Sequence, residues 1–251
     1  MINNFGNKNV LKGFLSFTLA ETLIVMGIIG IVSALTLPNL NSSTGEKEKI
    51  AKVKKIYQNL DDAVGRSVAV YGPMDEWIKT DSNLSDQTTR FGERITEFMK
   101  VSKTCPTSTS NSSCFKRKSY TGQMNLSSAT IYSFVLADGT SVAMQYDSNY
   151  VETPKNAVWF YVDIDGATKG QGKVGTDLFS FSSDLTSGSG IDTFGRTPRV
   201  SEFSTGRGYD ATAWVINYDN MDYLKLGSNG KCNGSGVTLN ASANPPVTSC
   251  K

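Results

Sequence analysis

Histidine is absent from all 251 residues. That omission removes the commonest general base, the Ser-His and Cys-His nucleophile systems, and every His-dependent zinc site. Four cysteines, a few acids and one carboxylate in an unfavourable setting remain as carriers of chemistry. Cys105, Cys114, Cys232 and Cys250 include no C-x-x-C pair, which excludes zinc-ribbon and thioredoxin readings. Of the three pairings that four cysteines permit, their clustering among Ser, Thr, Asn and Pro favours Cys105–Cys114 and Cys232–Cys250 over separate buried thiols. Such bridges imply an oxidising compartment. Asp163-Ile164-Asp165-Gly166, with Asp177 downstream, carries the first half of a calcium-loop pattern without the rest of it. A turn closed by Asp-Gly is the simpler reading, so no metal or cofactor is expected. Gly170-Gln171-Gly172-Lys173-Val174-Gly175 matches G-x-G-x-x-G letter for letter. A dinucleotide site needs that turn to open a helix after a strand, and Thr176-Asp177-Leu178-Phe179-Ser180-Phe181 reads as extended.

The remaining acid is Glu21, and its surroundings make it informative. It lies in an apolar run from Phe17 to Leu37, 21 residues long, or about 31 Å of helix, roughly one hydrocarbon core. Residues 1–16 contain Lys8 and Lys12 and no acid, and the polar stretch NSSTGEKEK follows. The run is too long for a secretory signal peptide. An uncleaved signal anchor explains everything except Glu21, whose carboxyl costs about 2.5–3.5 kcal/mol to insert and so requires a partner.

Gly13 followed by Phe17-Thr18-Leu19-Ala20-Glu21 and an apolar run ending in Leu37-Pro38 resembles the leader of type IV prepilins and type II secretion pseudopilins. The resemblance implies cleavage between Ser16 and Phe17 by prepilin peptidase, N-methylation of the new Phe17 amino group, and retention of the apolar segment as the core helix of a filament. It makes Glu21 the signature carboxylate and Pro38 the proline commonly found in that helix. The family normally has Gly just before the cut, where this chain has Ser16. Cleavage between Gly13 and Phe14 would restore the Gly but displace Glu21 and Pro38 from their positions. On this reading a staggered neighbour's α-amino cation at Phe17 neutralises Glu21, and the pair specifies the stagger because an unpaired buried charge is heavily penalised.

The expected organisation is a leader over 1–16, a transmembrane and assembly helix over 17–40, a continuing helix over 41–72, and an α+β domain over 73–251. Ile50, Val53, Ile56, Tyr57, Leu60, Val64, Val68 and Tyr71 recur at helical steps, and Gly72-Pro73 ends the helix. Short helices are expected over 74–104, with Ile95, Phe98 and Met99 as core contacts. A polar loop over 105–128 contains Lys116-Arg117-Lys118. IYSFVL and SVAMQY flank Ala137-Asp138-Gly139-Thr140, a hairpin. Val158, Phe160, Val162 and Ile164 alternate with Trp159, Tyr161, Asp163 and Asp165 as a third strand, and Leu178–Phe181 supply a fourth. Residues 211–226 are compact and aromatic, and their pattern does not separate helix from strand. The fold expected is pilin-like: a long N-terminal helix on an antiparallel sheet with a loop-rich C-terminal region. Residues 157–181 and 211–224 also resemble C-terminal segments of prepilin-type proteins, and by the same resemblance Cys232–Cys250 closes a C-terminal loop.

The formal net charge is +2, and losing Lys8 and Lys12 brings it to zero, so nothing advertises nucleic acid. The lysines at 47, 49, 52, 54 and 55 are read as a solvated helix face, because no aromatics interleave with them. They outnumber the leader's lysines, and the positive-inside rule read alone places the domain in the cytoplasm. The leader motif and cysteines instead imply an inner-membrane protein with an extracytoplasmic domain that assembles with other such subunits. The remaining length suggests a minor one. No enzyme is expected. The alternative is an uncleaved, single-pass, membrane-anchored binding protein.

Overall fold

The computed structural model describes residues 18–109, 113–116, 126, 129–147, 157–169, 172–185, 190–193 and 210–251, leaving aside the side chains of 35–44. Helix α1 spans Leu19–Tyr71, and the chain divides into two units between Gly45 and Glu46. In the second unit, Ile50, Val53, Ile56, Leu60 and Val64 are buried, with Tyr57, Val68 and Tyr71 half-buried beside them. Each fully buried aliphatic in such a stripe contributes about 1.5–3 kcal/mol. The helix stops where Gly72 turns left-handed at φ 78°, a conformation that costs glycine nothing. Its N–H still reaches the Val68 carbonyl at 2.9 Å.

Next come a short 3-10 helix, Met74–Ile78, and helix α2, Leu84–Thr96, whose first turn is capped by Asn83 Oδ1 accepting the Asp86 N–H at 2.9 Å. Six strands follow: β1 Val101–Ser108, β2 Ile131–Leu136, β3 Ser141–Asp147, β4 Ala157–Asp163, β5 Leu178–Asp184 and β6 Asp192–Thr193. They form one antiparallel sheet in sequence order. Helix α3, Ala211–Tyr218, and a 3-10 turn, Asp222–Lys225, resolve the ambiguous 211–226 segment. The architecture is α+β, with an N-terminal helix and a six-stranded antiparallel sheet.

The hairpin at 137–140 closes as its residues suggest. Gly139 takes φ 88°, and Asp138 Oδ1 accepts the Thr140 N–H. One expectation fails. Val101–Ser108 is a strand where helix and then loop were expected. As an outer strand it buries only Cys105 among largely exposed positions, so it lacks the alternation that marks a half-buried strand, and Pro106 is tolerated at an edge. The two-residue β6 is too short to leave a pattern. It pairs with Phe181 and Ser182, while farther along the same edge of β5 the Thr212 hydroxyl of α3 accepts the Ser180 N–H at 3.1 Å. That outer strand is therefore partly covered rather than left open.

The sheet is packed on both faces. Phe134, Val142, Met144, Phe160, Val162, Phe179 and Phe181 join the α1 stripe, with Phe91 and Ile95 from α2 and Trp214 from α3. Ile131, Ala143 and Leu178 belong to the opposite face and cluster with Phe115, Leu126 and Val174. Trp159 and Asp163, which alternate with Val158, Phe160 and Val162 along β4, are also only 5% and 6% exposed.

Candidate functional site

The first turn of α1 closes on itself. Glu21 Oε2 accepts the Thr18 N–H at 2.9 Å and the Thr18 hydroxyl at 2.8 Å, while Thr18 Oγ1 accepts the Glu21 N–H at 3.3 Å. This is a capping box, in which the N-cap hydroxyl and the third-position carboxylate satisfy each other's orphan N–H groups. The signal was present in the sequence as Thr-x-x-Glu before an apolar run, and the family resemblance drew attention to the acid alone.

After this cap, Leu19, Leu23, Ile24, Val25, Met26, Ile28, Ile29, Ile31 and Val32 are all more than half exposed, Leu19 at 80%. These positions fall on every side of a helix with 3.6 residues per turn. A helix apolar all round is covered by lipid or protein rather than water. Among the described residues no helix is long and apolar enough to cross a membrane. Described side chains in this run end at Ala34, short of the ~20 residues that a span requires. Pro38 lies within α1, and its side chain is outside the described ones. Ser16, Phe17 and the Gly13/Phe14 alternative lie outside the described residues, as do Arg117, Lys118, Gly170 and Gln171.

The lysines after the apolar run have structural duties within the second unit. Lys49 Nζ donates to the Thr176 carbonyl at 3.1 Å, Lys54 pairs with Asp219 at 2.8 Å, and Lys55 pairs with Asp138 at 2.7 Å. Lys52 pairs with Glu48 one turn earlier on the helix. At their exposure each pair contributes about 0–1 kcal/mol, so they orient loops on α1 more than they stabilise it.

Both cystines join the near neighbours. Cys105–Cys114 has a Cα separation of 6.1 Å and ties β1 to the segment carrying buried Phe115. Cys232–Cys250 has a Cα separation of 5.6 Å and closes the C-terminal loop, with Cys232 and Leu239 in the main core. Asp222 fastens the far end: its Oδ2 accepts the Cys250 N–H at 2.7 Å, and its Oδ1 accepts from Lys225. Burial raises the Asp222 pKa, but the Lys225 ammonium and the Cys250 and Ser249 donors outweigh it and leave the carboxyl below its ordinary range. Glu46 Oε1 accepts the Met221 N–H at 3.0 Å, which binds this region to the start of the second unit's helix.

At the end of β4, Asp163 Oδ1 accepts the Asp165 N–H at 3.2 Å, and Gly166, at φ 84°, donates to the Asp163 carbonyl. The segment is an Asp-Gly turn. Burial pushes the Asp163 carboxyl up to about 7, the Asp165 N–H opposes this, and the charges of Asp177 and Asp165 reinforce it. Among the described residues no three Asp, Glu, Cys or His side chains converge as a metal site. In the glycine-rich segment, Gly175–Asp177 form a turn into strand β5, where a dinucleotide fingerprint needs a helix N-terminus.

Compared with models of known protein families, with curated proteins and with solved structures, the chain matches none.

Proposed function

We propose that this chain is a structural subunit, a pilin or pseudopilin of a type IV pilus-like or type II secretion-like filament. Prepilin peptidase removes residues 1–16 at the inner membrane, the Phe17 amino group is methylated, and the apolar helix passes from lipid into a bundle with the helices of other subunits. The domain from Glu46 onward is displayed outside the membrane, where its two cystines are stable. The observation that carries this reading is the exposed, all-round apolar helix that opens with a capped carboxylate at Glu21. Lipid or neighbouring helices supply the cover it lacks in a single chain.

A second reading, an uncleaved single-pass anchored extracytoplasmic binding protein, is favoured by the Thr18 partner that Glu21 has within its own chain, since an acid capped in this way needs no neighbour's cation. Intact-mass measurement of the chain from cells with and without prepilin peptidase separates the two. The filament reading expects loss of residues 1–16 and gain of one methyl group only where the peptidase is present. An unprocessed mass in both strains would leave the anchor.

A further inference from the structure

A groove of about 550 Å³ runs along the flank of α1 in the second unit. One wall is the helix stripe Lys55, Asn59, Asp62 and Arg66, whose three- and four-residue spacing puts them on one face. The other is formed by Phe98, Met99 and Lys100 beyond α2 and by the end of the β2–β3 hairpin, Leu136–Asp138. Lys55 reaches across to Asp138 at 2.7 Å, and Arg66 pairs along the helix with Asp62 at 3.0 Å. Lys100 is the cation left over. It is exposed beside half-buried Phe98 and Met99 and has no acidic partner among the described residues. The groove is therefore net positive with a partly apolar wall, and the complementary occupant is an acidic segment with an apolar side chain.

The chain presents one such segment where α1 ends. Val70 is 61% exposed, Pro73, Asp75 and Glu76 are exposed, and Lys79, paired with Glu76, offsets only one of the two acids. The groove's last helix residue, Arg66, precedes Val70 by four residues, about 6 Å along the helix, so groove and acidic tip are neighbouring patches built from different residues of one domain. We infer that the acidic tip of one copy, Val70–Glu76, seats in the Lys100 groove of the next. Such a contact joins two different patches and so repeats head to tail, and it extends into a filament when the rotation between copies does not close a ring. The inference rests on the filament reading and deepens it. Apolar helices pack with little preference for register, whereas a charge seated against an opposite charge selects one.

The test uses the full chain in cells that assemble it. Among the described residues no cysteine is free, so Lys100→Cys and Asp75→Cys introduce unique thiols at exposed positions. Under mild oxidation the double variant is expected to give a ladder of linked chains, with no linked dimer from either single variant. In a second arm, Lys100→Glu and Asp75→Lys should each reduce sedimentable filaments about tenfold, and combining them should restore most of the loss. A double-cysteine chain that stays monomeric, yet has lost its leader by intact mass, overturns the groove contact and leaves the filament reading standing. A monomeric chain that also keeps its leader overturns both. Linked dimers from a single-cysteine variant would mean like meets like and would overturn the head-to-tail contact.

Discussion

Thr18 and Glu21 satisfy each other across the first turn of α1, through two bonds onto Glu21 Oε2 and one returned to Thr18 Oγ1. The carboxylate therefore has a partner within its own chain before any neighbour arrives. On the filament reading this gives Glu21 two duties: to cap the helix and to carry charge.

Substitutions separate those duties. Glu21→Gln keeps an acceptor for the Thr18 N–H but removes the charge, and Glu21→Leu removes both. Both variants are expected to insert in the membrane and lose the leader, and both should yield few sheared filaments. Normal assembly of Glu21→Gln would assign the residue to capping alone. Thr18→Val should cost about 1 kcal/mol at the helix start and reduce assembly less than either Glu21 variant.

The C-terminal cystine should matter to the whole domain. Replacing Cys232 and Cys250 by Ser is expected to cost about 3 kcal/mol in the chain-entropy model. For a domain of this size that lowers Tm by about 6–12 °C. Thermal unfolding with and without reductant measures it: reductant should bring the native protein down toward the variant and scarcely move the variant further through this bridge.

Asp163 gives the domain an unusual pH dependence. Its folded pKa, about 7, lies above the unfolded carboxyl value. Between the two, the folded state therefore holds a proton that the unfolded state has released, and stability falls as pH rises. The slope from this group is at most about 1.4 kcal/mol per pH unit, and it vanishes above the folded pKa. Asp222 and Asp138 act in the opposite sense. Burial raises each, but their hydrogen-bonded lysines hold them below the ordinary range, so their contribution is present above the unfolded pKa and lost at lower pH. Stability should peak on the acid side of neutral. Asp163→Asn, which retains an acceptor for the Asp165 N–H, should be more stable than the native protein at pH 8 and should flatten the decline above pH 5 in denaturant titrations.

Gly92 sets helix propensity against packing. Alanine in a helix interior is favoured over glycine by about 1 kcal/mol. Here a Cβ on Gly92 would lie 2.3 Å from the ring of Tyr132, a buried residue of β2 that cannot swing away cheaply. Gly92→Ala is therefore expected to destabilise by about 1–3 kcal/mol, and a rise in Tm would refute the close approach of α2 to β2.

What could be read along the chain was whatever depends on near neighbours. The stripe from Ile50 to Tyr71, the stop at Gly72-Pro73, the hairpin at Asp138-Gly139 and the Asp-Gly turn after β4 all follow from residues within a few positions of one another. The Thr18–Glu21 cap was equally local and was legible as Thr-x-x-Glu, though reading Glu21 only as an intermolecular charge passed over it. Strand β1 was not legible, because an edge strand that buries little besides Cys105 carries no period. Nor was the burial of Trp159 and Asp163, because alternation reports two faces and not what covers them.

The sequence alone determined the apolar helix with its single acid, the lack of histidine chemistry and the run from the α1 stripe through strands β2 to β5, since each is a property of local composition and spacing. Only the tertiary structure decided that Lys54 and Lys55 reach Asp219 and Asp138, that α3 covers part of the β5 edge through Thr212, and that Gly92 must stay small against Tyr132. Those relationships join residues 32 to 165 positions apart. Local preference says nothing about them until packing brings them within a few ångströms.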